Sequence, residues 1–268
     1  MADYEMIKLA VADTIATITL SRPERLNAMP PSMADEISAA LDEALERGAR
    51  AVLMTGEGRA FCSGADLAGG GGSRDRTSGV GGGDRAKISL DEHYHPMMKK
   101  IADLPVPFIT AVNGPAAGVG CSAALAGDFV IAGRSGYFLQ AFVNIGLIPD
   151  GGATWMLPRQ IGKARAFEMM MLGEKIPAAQ ALDWGLIYKV VDDEALMDEA
   201  LALAKRLAEG PTFALGKMRK LARDNMDLGY HEALDAEANA QREAGNSQDA
   251  VIGAVAFLKK EKAQFTGK

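Results

Sequence analysis

Three short stretches of this sequence carry groups that could act together on one small molecule. Two are glycine-flanked turns, Phe61-Cys-Ser-Gly-Ala-Asp-Leu67 and Gly118-Val119-Gly120. Each can bare a backbone N–H, because glycine reaches the backbone conformations that tight turns need. Two such donors converging on one oxygen make an oxyanion hole, which favours the negative charge that develops on a reacting carbonyl. The third is Asp150, alone behind Ile145, Leu147, Ile148 and Pro149 and followed by Gly151-Gly152. Desolvation in an apolar wall raises a carboxyl pKa, so such a group can pass a proton to and fro near neutral pH. The same residue also suits an N-cap for a helix starting near Gly151, and the two roles are compatible.

The second turn sits inside FITAVNGPAAGVGCSAALAGD, from Phe108 to Asp128. Phe108 to Val112 reads as a buried strand, Asn113-Gly114-Pro115 breaks it, and small helix-tolerant residues follow from Ala116. A helix start presents unpaired N–H groups and a positive dipole end, so something partly negative is expected there. Two further chemistries compete for this spot. Gly118-Val-Gly-Cys-Ser-Ala123 fits the G-x-G-x-x-A pattern of dinucleotide sites, but the window Gly136 to Ala141 lacks the acid that the pattern also wants. Gly120-Cys-Ser122-Ala-Ala124 resembles a nucleophile elbow with its last glycine replaced, and only His231 follows it as a possible base. His93 and His95, two apart on a predicted helix, point to different sides and cannot share a metal as an i, i+4 pair would.

The elements that must position these groups follow from periodicity. Ile7–Val11 and Thr14–Leu20 read as paired strands, SRPERLNAMPP as a loop, Ser32–Arg47 as an amphipathic helix and Ala51–Thr55 as a strand. Strand, helix, strand is the crossover unit of a sheet covered by helices. The glycine-rich tract Gly69–Gly83 has no apolar anchor except Val80 and reads as a mobile surface loop of the length that lids have. Ala86–Leu104 reads as a helix, Phe129–Ala132 and Tyr137–Leu139 as short strands, and Leu186–Val191 as a further strand. From about Glu194 the chain reads as helical. The expected division is a mixed α/β core over residues 1–195 and a helical oligomerisation domain over 196–268. Phe138, Phe142 and Trp155 suit either a pocket for an acyl chain or ordinary core packing.

Composition narrows the classes. A net charge of −6 over 268 residues argues against a general nucleic-acid binder. No window approaches the ~18 apolar residues of a membrane span, and the acidic N-terminus does not read as a signal peptide. Cys62 and Cys121 form neither a metal spacing nor a CxxC pair, which fits two reduced, packed thiols in a cytoplasmic protein. No metal site is expected.

Four blocks then carry a resemblance: FCSGADL, AVNGPAAGVGCSAAL, IGLIPDGGATWMLPR and ALDWGLIYKVVDD. In this order and spacing they are similar to the motifs of the enoyl-CoA hydratase/isomerase (crotonase) superfamily, over nearly the whole chain. The resemblance implies an α/β fold, a crotonase-like spiral of ββα units with a helical C-terminal trimerisation domain. It implies an acyl-CoA partner, assembly as a homotrimer or a dimer of trimers, and no cofactor beyond the coenzyme A that is part of the substrate. By position it implies hole donors at the Ala65 and Val119 N–H groups. It implies a CoA surface formed by Arg25, Leu26 and the backbone of Ala65, Asp66 and Leu67, with Phe257 and Lys260 supplied by a neighbouring subunit. The two glutamates with which the family's hydratases handle water fall on Ser122 and Phe142, so a two-glutamate hydration does not fit. Asp150 falls where the family's Δ3,Δ2-enoyl-CoA isomerases keep a single carboxylate. The surrounding FxxIGLIPDGG run is most similar to the ring-1,2-epoxyphenylacetyl-CoA isomerase type. The resemblance therefore implies an isomerase, with an enoyl-CoA hydratase and a non-catalytic acyl-CoA binder as the alternatives.

Overall fold

The computed structural model describes residues 3–67 and 81–268. Alternating aliphatic residues form β1 (Ile7–Ala12) and β2 (Ile15–Leu20), which pair antiparallel across Asp13 and Thr14. A 3₁₀ turn at Pro23–Arg25 leads to α1 (Pro31–Glu46), whose apolar face from Met33 to Ala44 is buried. β3 (Ala51–Gly56) follows and pairs parallel with β2. α2 (Gly82–Ser89) runs through a π-helical turn, Leu90–Tyr94, into α3 (His95–Asp103). Next come β4 (Phe108–Val112), β5 (Pro115–Ala117), α4 (Val119–Leu125), β6 (Phe129–Gly133) and β7 (Tyr137–Leu139). A 3₁₀ turn at Ala141–Ile145 precedes α5 (Ala153–Leu172), which is broken at Gly162, then β8 (Ile176–Pro177), α6 (Ala178–Asp183) and β9 (Lys189–Val191). The chain ends in α7 (Leu196–Ala208), α8 (Thr212–Asp224), α9 (Tyr230–Gly245) and α10 (Gln248–Lys259).

The main sheet has the order β1-β2-β3-β4-β6-β9, parallel except for its first pair. A second sheet, β5-β7-β8, stands beside it. This is the mixed α/β architecture expected from the sequence. Both central strands, β3 and β4, are buried along almost their full length because helices cover both faces of the sheet. On one side α1, α3, α4, α5 and α6 close a continuous apolar core around Met33, Leu41, Met54, Phe108 and Phe138. On the other side Leu196, Ala200, Ala204 and Ala208 of α7 pack on Ile15, Leu53, Ile109 and Ile131. The boundary expected after residue 195 therefore falls in front of a helix that belongs to the packed core.

Several elements differ locally from the sequence expectation. Pro115–Ala117, read as the approach to a helix, is a strand, because β7 and the loop at Cys62 offer its backbone partners on both sides. The helix expected over 86–104 is two helices joined by the π turn. The strand expected over 186–191 is paired only from Lys189. The glycine-rich loop expected over 69–83 lies outside the described residues up to position 80, and Gly82 and Gly83 already open α2.

One buried cation ties the C-terminal helices to the elements that carry the site. Arg219 of α8 donates to the carbonyls of Ile101 (2.6 Å), Ala102 (2.6 Å) and Leu104 (3.0 Å) and pairs with Asp128 at 2.7 Å. The carbonyls at the end of α3 have no intrahelical partner, so the guanidinium satisfies them as a cap would. Arg219→Met should lower stability by about 3–5 kcal/mol by leaving Asp128 without its cation and the Ile101 and Leu104 carbonyls without this donor. Arg219→Lys should recover only part, because an ammonium lacks the planar fork. Chemical denaturation of the three proteins checks this, and an unchanged midpoint in Arg219→Met would refute it.

Candidate active site

The loop bearing Ala65 is held from three sides. Asn27, fully buried with a positive φ, donates through its amide to the carbonyls of Glu57 (3.0 Å) and Ala60 (2.8 Å) and accepts from the Arg22 N–H (2.8 Å). That arrangement turns 22–29 back along the loop. The Met29 N–H then donates to the Gly64 carbonyl (2.8 Å), and the Asp66 N–H to the Met29 carbonyl (3.1 Å). These two bonds straddle Ala65, so the Ala65 N–H turns away from the Met29 strand. Tyr94, brought in by the π turn, donates its hydroxyl to the same Met29 carbonyl at 2.7 Å. Arg22 completes the frame with a buried ion pair to Asp66 at 2.9 Å.

On the facing loop, the Gly118 N–H donates to the Leu139 carbonyl at 2.9 Å. Gly118 has φ 54° and ψ −130°, a conformation closed to side-chain-bearing residues, and it turns the next peptide over. Val119 thereby opens α4 with an N–H that helix geometry leaves unpaired. Neither the Ala65 nor the Val119 N–H meets an acceptor among the described residues.

The two turns touch. The Cys62 N–H donates to the Pro115 carbonyl (3.1 Å) and the Ala117 N–H to the Cys62 carbonyl (2.9 Å). A Cβ on Gly64 would lie 3.8 Å from the Gly118 Cα, and a Cβ on Gly120 only 2.6 Å from the Cβ, carbonyl and Sγ of Cys62. Only glycine at 120 lets the loop settle on α4. Both thiols are buried, and burial pushes each up to about 12, so they pack as apolar groups.

Asp150 comes to this place through Gly151, whose Cα rests on Ser122 and Val119 of α4. A Cβ on Gly151 would lie 2.8 Å from the Ser122 Cβ and 3.7 Å from Val119 Cγ2. The carboxylate does not cap the following helix: α5 starts at Ala153 behind Gly152, with no side-chain cap. Asp150 Oδ1 is buried without a hydrogen-bond partner among the described residues, and desolvation raises the group from its ordinary value to about 6. Burial, and after it the charge of Asp150, raise the Tyr94 phenol. The Phe142 ring packs beside Gly118, 3.7 Å from where a Cβ would stand.

A cleft of about 510 Å³ opens next to Gly151, with apolar walls from Met98, Ala102, Ala126, Trp155 and Met156. Trp155 is braced by the Arg159 guanidinium, 4.3 Å from its ring centre and itself paired with Asp227. Of the aromatic residues considered for a pocket, Trp155 lines this cleft, Phe142 borders the turn, and Phe138 is core.

The residues expected along a CoA surface fall in two groups. Arg25 is exposed, Leu26 half-buried and Leu67 66% exposed, all on or beside the Ala65 loop. Asp66 offers neither its N–H, spent on Met29, nor its carboxylate, which is turned inward to Arg22. Phe257 (82% exposed) and Lys260 stand at the end of α10. His93 pairs with Asp35 at the surface. Asn27 and Tyr94 escaped the sequence reading, and Ser122, read there as a possible nucleophile or as the place of a missing acid, proves to donate to the Asp150 carbonyl. Nothing local marks Tyr94, whereas Asn is a residue that tolerates the left-handed turn at 27.

A family model described as enoyl-CoA hydratase/isomerase matches residues 10–268. The 1,2-epoxyphenylacetyl-CoA isomerase of Escherichia coli (strain K12) is 44% identical, over 98% of this chain and 99% of its own. A protein named probable enoyl-CoA hydratase from Rhodobacter capsulatus is 42% identical over 99% of both chains. Among solved structures, an enoyl-CoA hydratase from Polaromonas sp. JS666 superposes with a TM-score of 0.89 at 33% identity, covering 97% of this chain and 99% of that one.

Two consequences can be measured. In Gly120→Ala the new methyl must push Cys62 away and separate the two turns, so kcat/KM toward a CoA thioester should fall by about 10²–10³, the loss typical of one missing oxyanion donor. The far-UV circular dichroism should be unchanged; a variant with full activity would refute the close-approach argument. The second concerns Asp150. An unfolded Asp loses its proton near ~3.9, the folded one near 6. Its buried charge therefore weighs against the fold from the lower value upward, fully so above pH 6. Asp150→Asn should raise the melting temperature at pH 8, by the equivalent of about 1–3 kcal/mol, and leave it unchanged at pH 3.5. Equal melts at pH 8 would contradict this burial.

Proposed function

This chain belongs to the enoyl-CoA hydratase/isomerase family, and from that premise we propose that it is an acyl-CoA isomerase acting through a single carboxylate. The reaction is the shift of a double bond, or the rearrangement of an epoxide-derived ring, in a CoA thioester. The observation that carries the reading is the state of Asp150. It is desolvated, unpartnered at Oδ1 among the described residues, raised to about 6, and packed through Gly151 on the helix start that bares the Val119 N–H. Ser122 and Phe142, which correspond to the hydratases' paired glutamates, are not acids. The E. coli relative's name supports the same branch.

In this mechanism the thioester oxygen accepts hydrogen bonds from the Ala65 and Val119 N–H groups. Both bonds strengthen as the carbonyl becomes an enolate, which acidifies the adjacent C–H. The Asp150 carboxylate takes a proton from C2 of a 3-enoyl thioester. The electron pair left on C2 forms the C2=C3 bond, the former C3=C4 pair takes the proton back from Asp150 at C4, and the product is the 2-enoyl thioester. The coenzyme A portion lies along Arg25, Leu26 and the backbone from Ala65 to Leu67, and the acyl group points toward the cleft at Trp155. The exposed apolar end of α10 supports a homotrimer or dimer of trimers in which Phe257 and Lys260 reach a neighbour's CoA. α9, with no buried residue of its own, fits such a partner surface.

Enoyl-CoA hydratase is the second reading, favoured by the name of the R. capsulatus relative. Incubation with a 3-enoyl-CoA and with crotonyl-CoA, followed by absorbance, separates the two. Isomerisation of the former without hydration of the latter is expected, and efficient hydration would reverse the assignment. Asp150→Asn should slow isomerisation by about 10²–10⁴ while CoA-ester binding persists. Because the carboxylate must be ionised to take the first proton, kcat/KM of the native chain should rise through a midpoint near pH 6 and level off above it.

A further inference from the structure

Ser122 stands where an acid would belong in a two-glutamate site, yet it is fully buried and its hydroxyl is engaged. Ser122 Oγ donates to the main-chain carbonyl of Asp150 at 2.8 Å, and it stands 3.5 Å from the carbonyl of Gly118. One hydroxyl on the first turn of α4 thus reaches the backbone on which the Asp150 carboxylate is mounted, next to the turn that orients the Val119 N–H. The Asp150 carbonyl has one further donor, the Ala153 N–H, at 3.2 Å. The carboxylate Oδ1 has none among the described residues. A side chain without hydrogen bonds of its own takes its position from the backbone that carries it, so the tether decides where the proton acceptor sits.

From this geometry we infer that Ser122 is the positioning residue of the isomerase. It holds Asp150 in register with the oxyanion donors. The two segments lie so close that a Cβ on Gly151 would stand 2.8 Å from the Ser122 Cβ, and the Ser122 Oγ reaches the Asp150 carbonyl directly. The inference rests on the proposed role of Asp150.

The test compares Ser122→Ala with Thr110→Val. Thr110, on β4, makes the same kind of bond to the other side of α4, from its hydroxyl to the Ala124 carbonyl at 2.7 Å, and touches no group of the site. Both substitutions remove one buried hydroxyl–carbonyl bond from the same helix. With a 3-enoyl-CoA as the probe, Ser122→Ala should lose about 10- to 100-fold in kcat, the scale of a small misplacement of a reacting group, with KM within twofold of the native value. Thr110→Val should melt earlier and keep its kcat. Native kcat in Ser122→Ala, or an equal loss in both variants, overturns the inference and leaves the isomerase reading standing if Asp150→Asn is inactive. Full activity in Asp150→Asn overturns both.

Discussion

The site depends on one close approach of backbone to backbone. The loop from Phe61 to Leu67 can lie on the start of α4 only because residue 120 has no side chain, and Gly64 and Gly118 meet beside that contact. Everything else about the two unpaired N–H groups is a consequence of that contact. Hydrogen bonds at Cys62 and Met29 take the neighbouring peptides on either side, and the alternation of the backbone leaves Ala65 facing the other way. Val119 is buried and Ala65 is exposed, so the two unpaired N–H groups stand at the boundary between the packed interior and the open face of the loop.

Around that contact the protein assembles a hydrogen-bonded polar frame. Asn27 donates to the Ala60 carbonyl, Arg22 to the Ala28 carbonyl and to Asp66, and Tyr94 to the Met29 carbonyl. Asp150 is the opposite case: its carboxylate is desolvated, its Oδ1 has no partner among the described residues, and the energy that hydration or a partner would have supplied appears as a raised pKa. A hydrogen-bonded frame next to a desolvated carboxylate is the pattern expected where rigidity and reactivity must coexist. Arg219 extends the frame outward, since the same guanidinium closes the end of α3, one wall of the cleft, and holds α8 against it.

Much of this was legible along the chain. Alternation and apolar runs disclose the strands β1 to β4, because a strand buried on both faces must be apolar throughout. Glycines mark both turns, because the backbone geometry there is closed to other residues. The desolvation of Asp150 was expected from its apolar neighbours, but Ile145, Leu147 and Ile148 are exposed, and the contact that packs this segment down is that of Gly151 on Ser122 and Val119. The motif blocks, in order, identify the family, and the comparisons bear that identification out.

Other features were set only by the tertiary structure. That Pro115–Ala117 is a strand follows from partners far away in sequence, as does the membership of α7 in the core. A capping role for Asp150 was as plausible as any other until the fold placed Gly152 at the helix start and left the carboxylate desolvated. Ser122 looked like a gap left by a missing acid, and the fold makes it a tether, because the segment 28 residues on is pressed against it. The sequence by itself determined which residues could bare an N–H or hold a desolvated proton, since those are properties of residue type and near neighbours. Which of them share one site was decided by contacts between distant segments, whose energies depend on distances that no local pattern records.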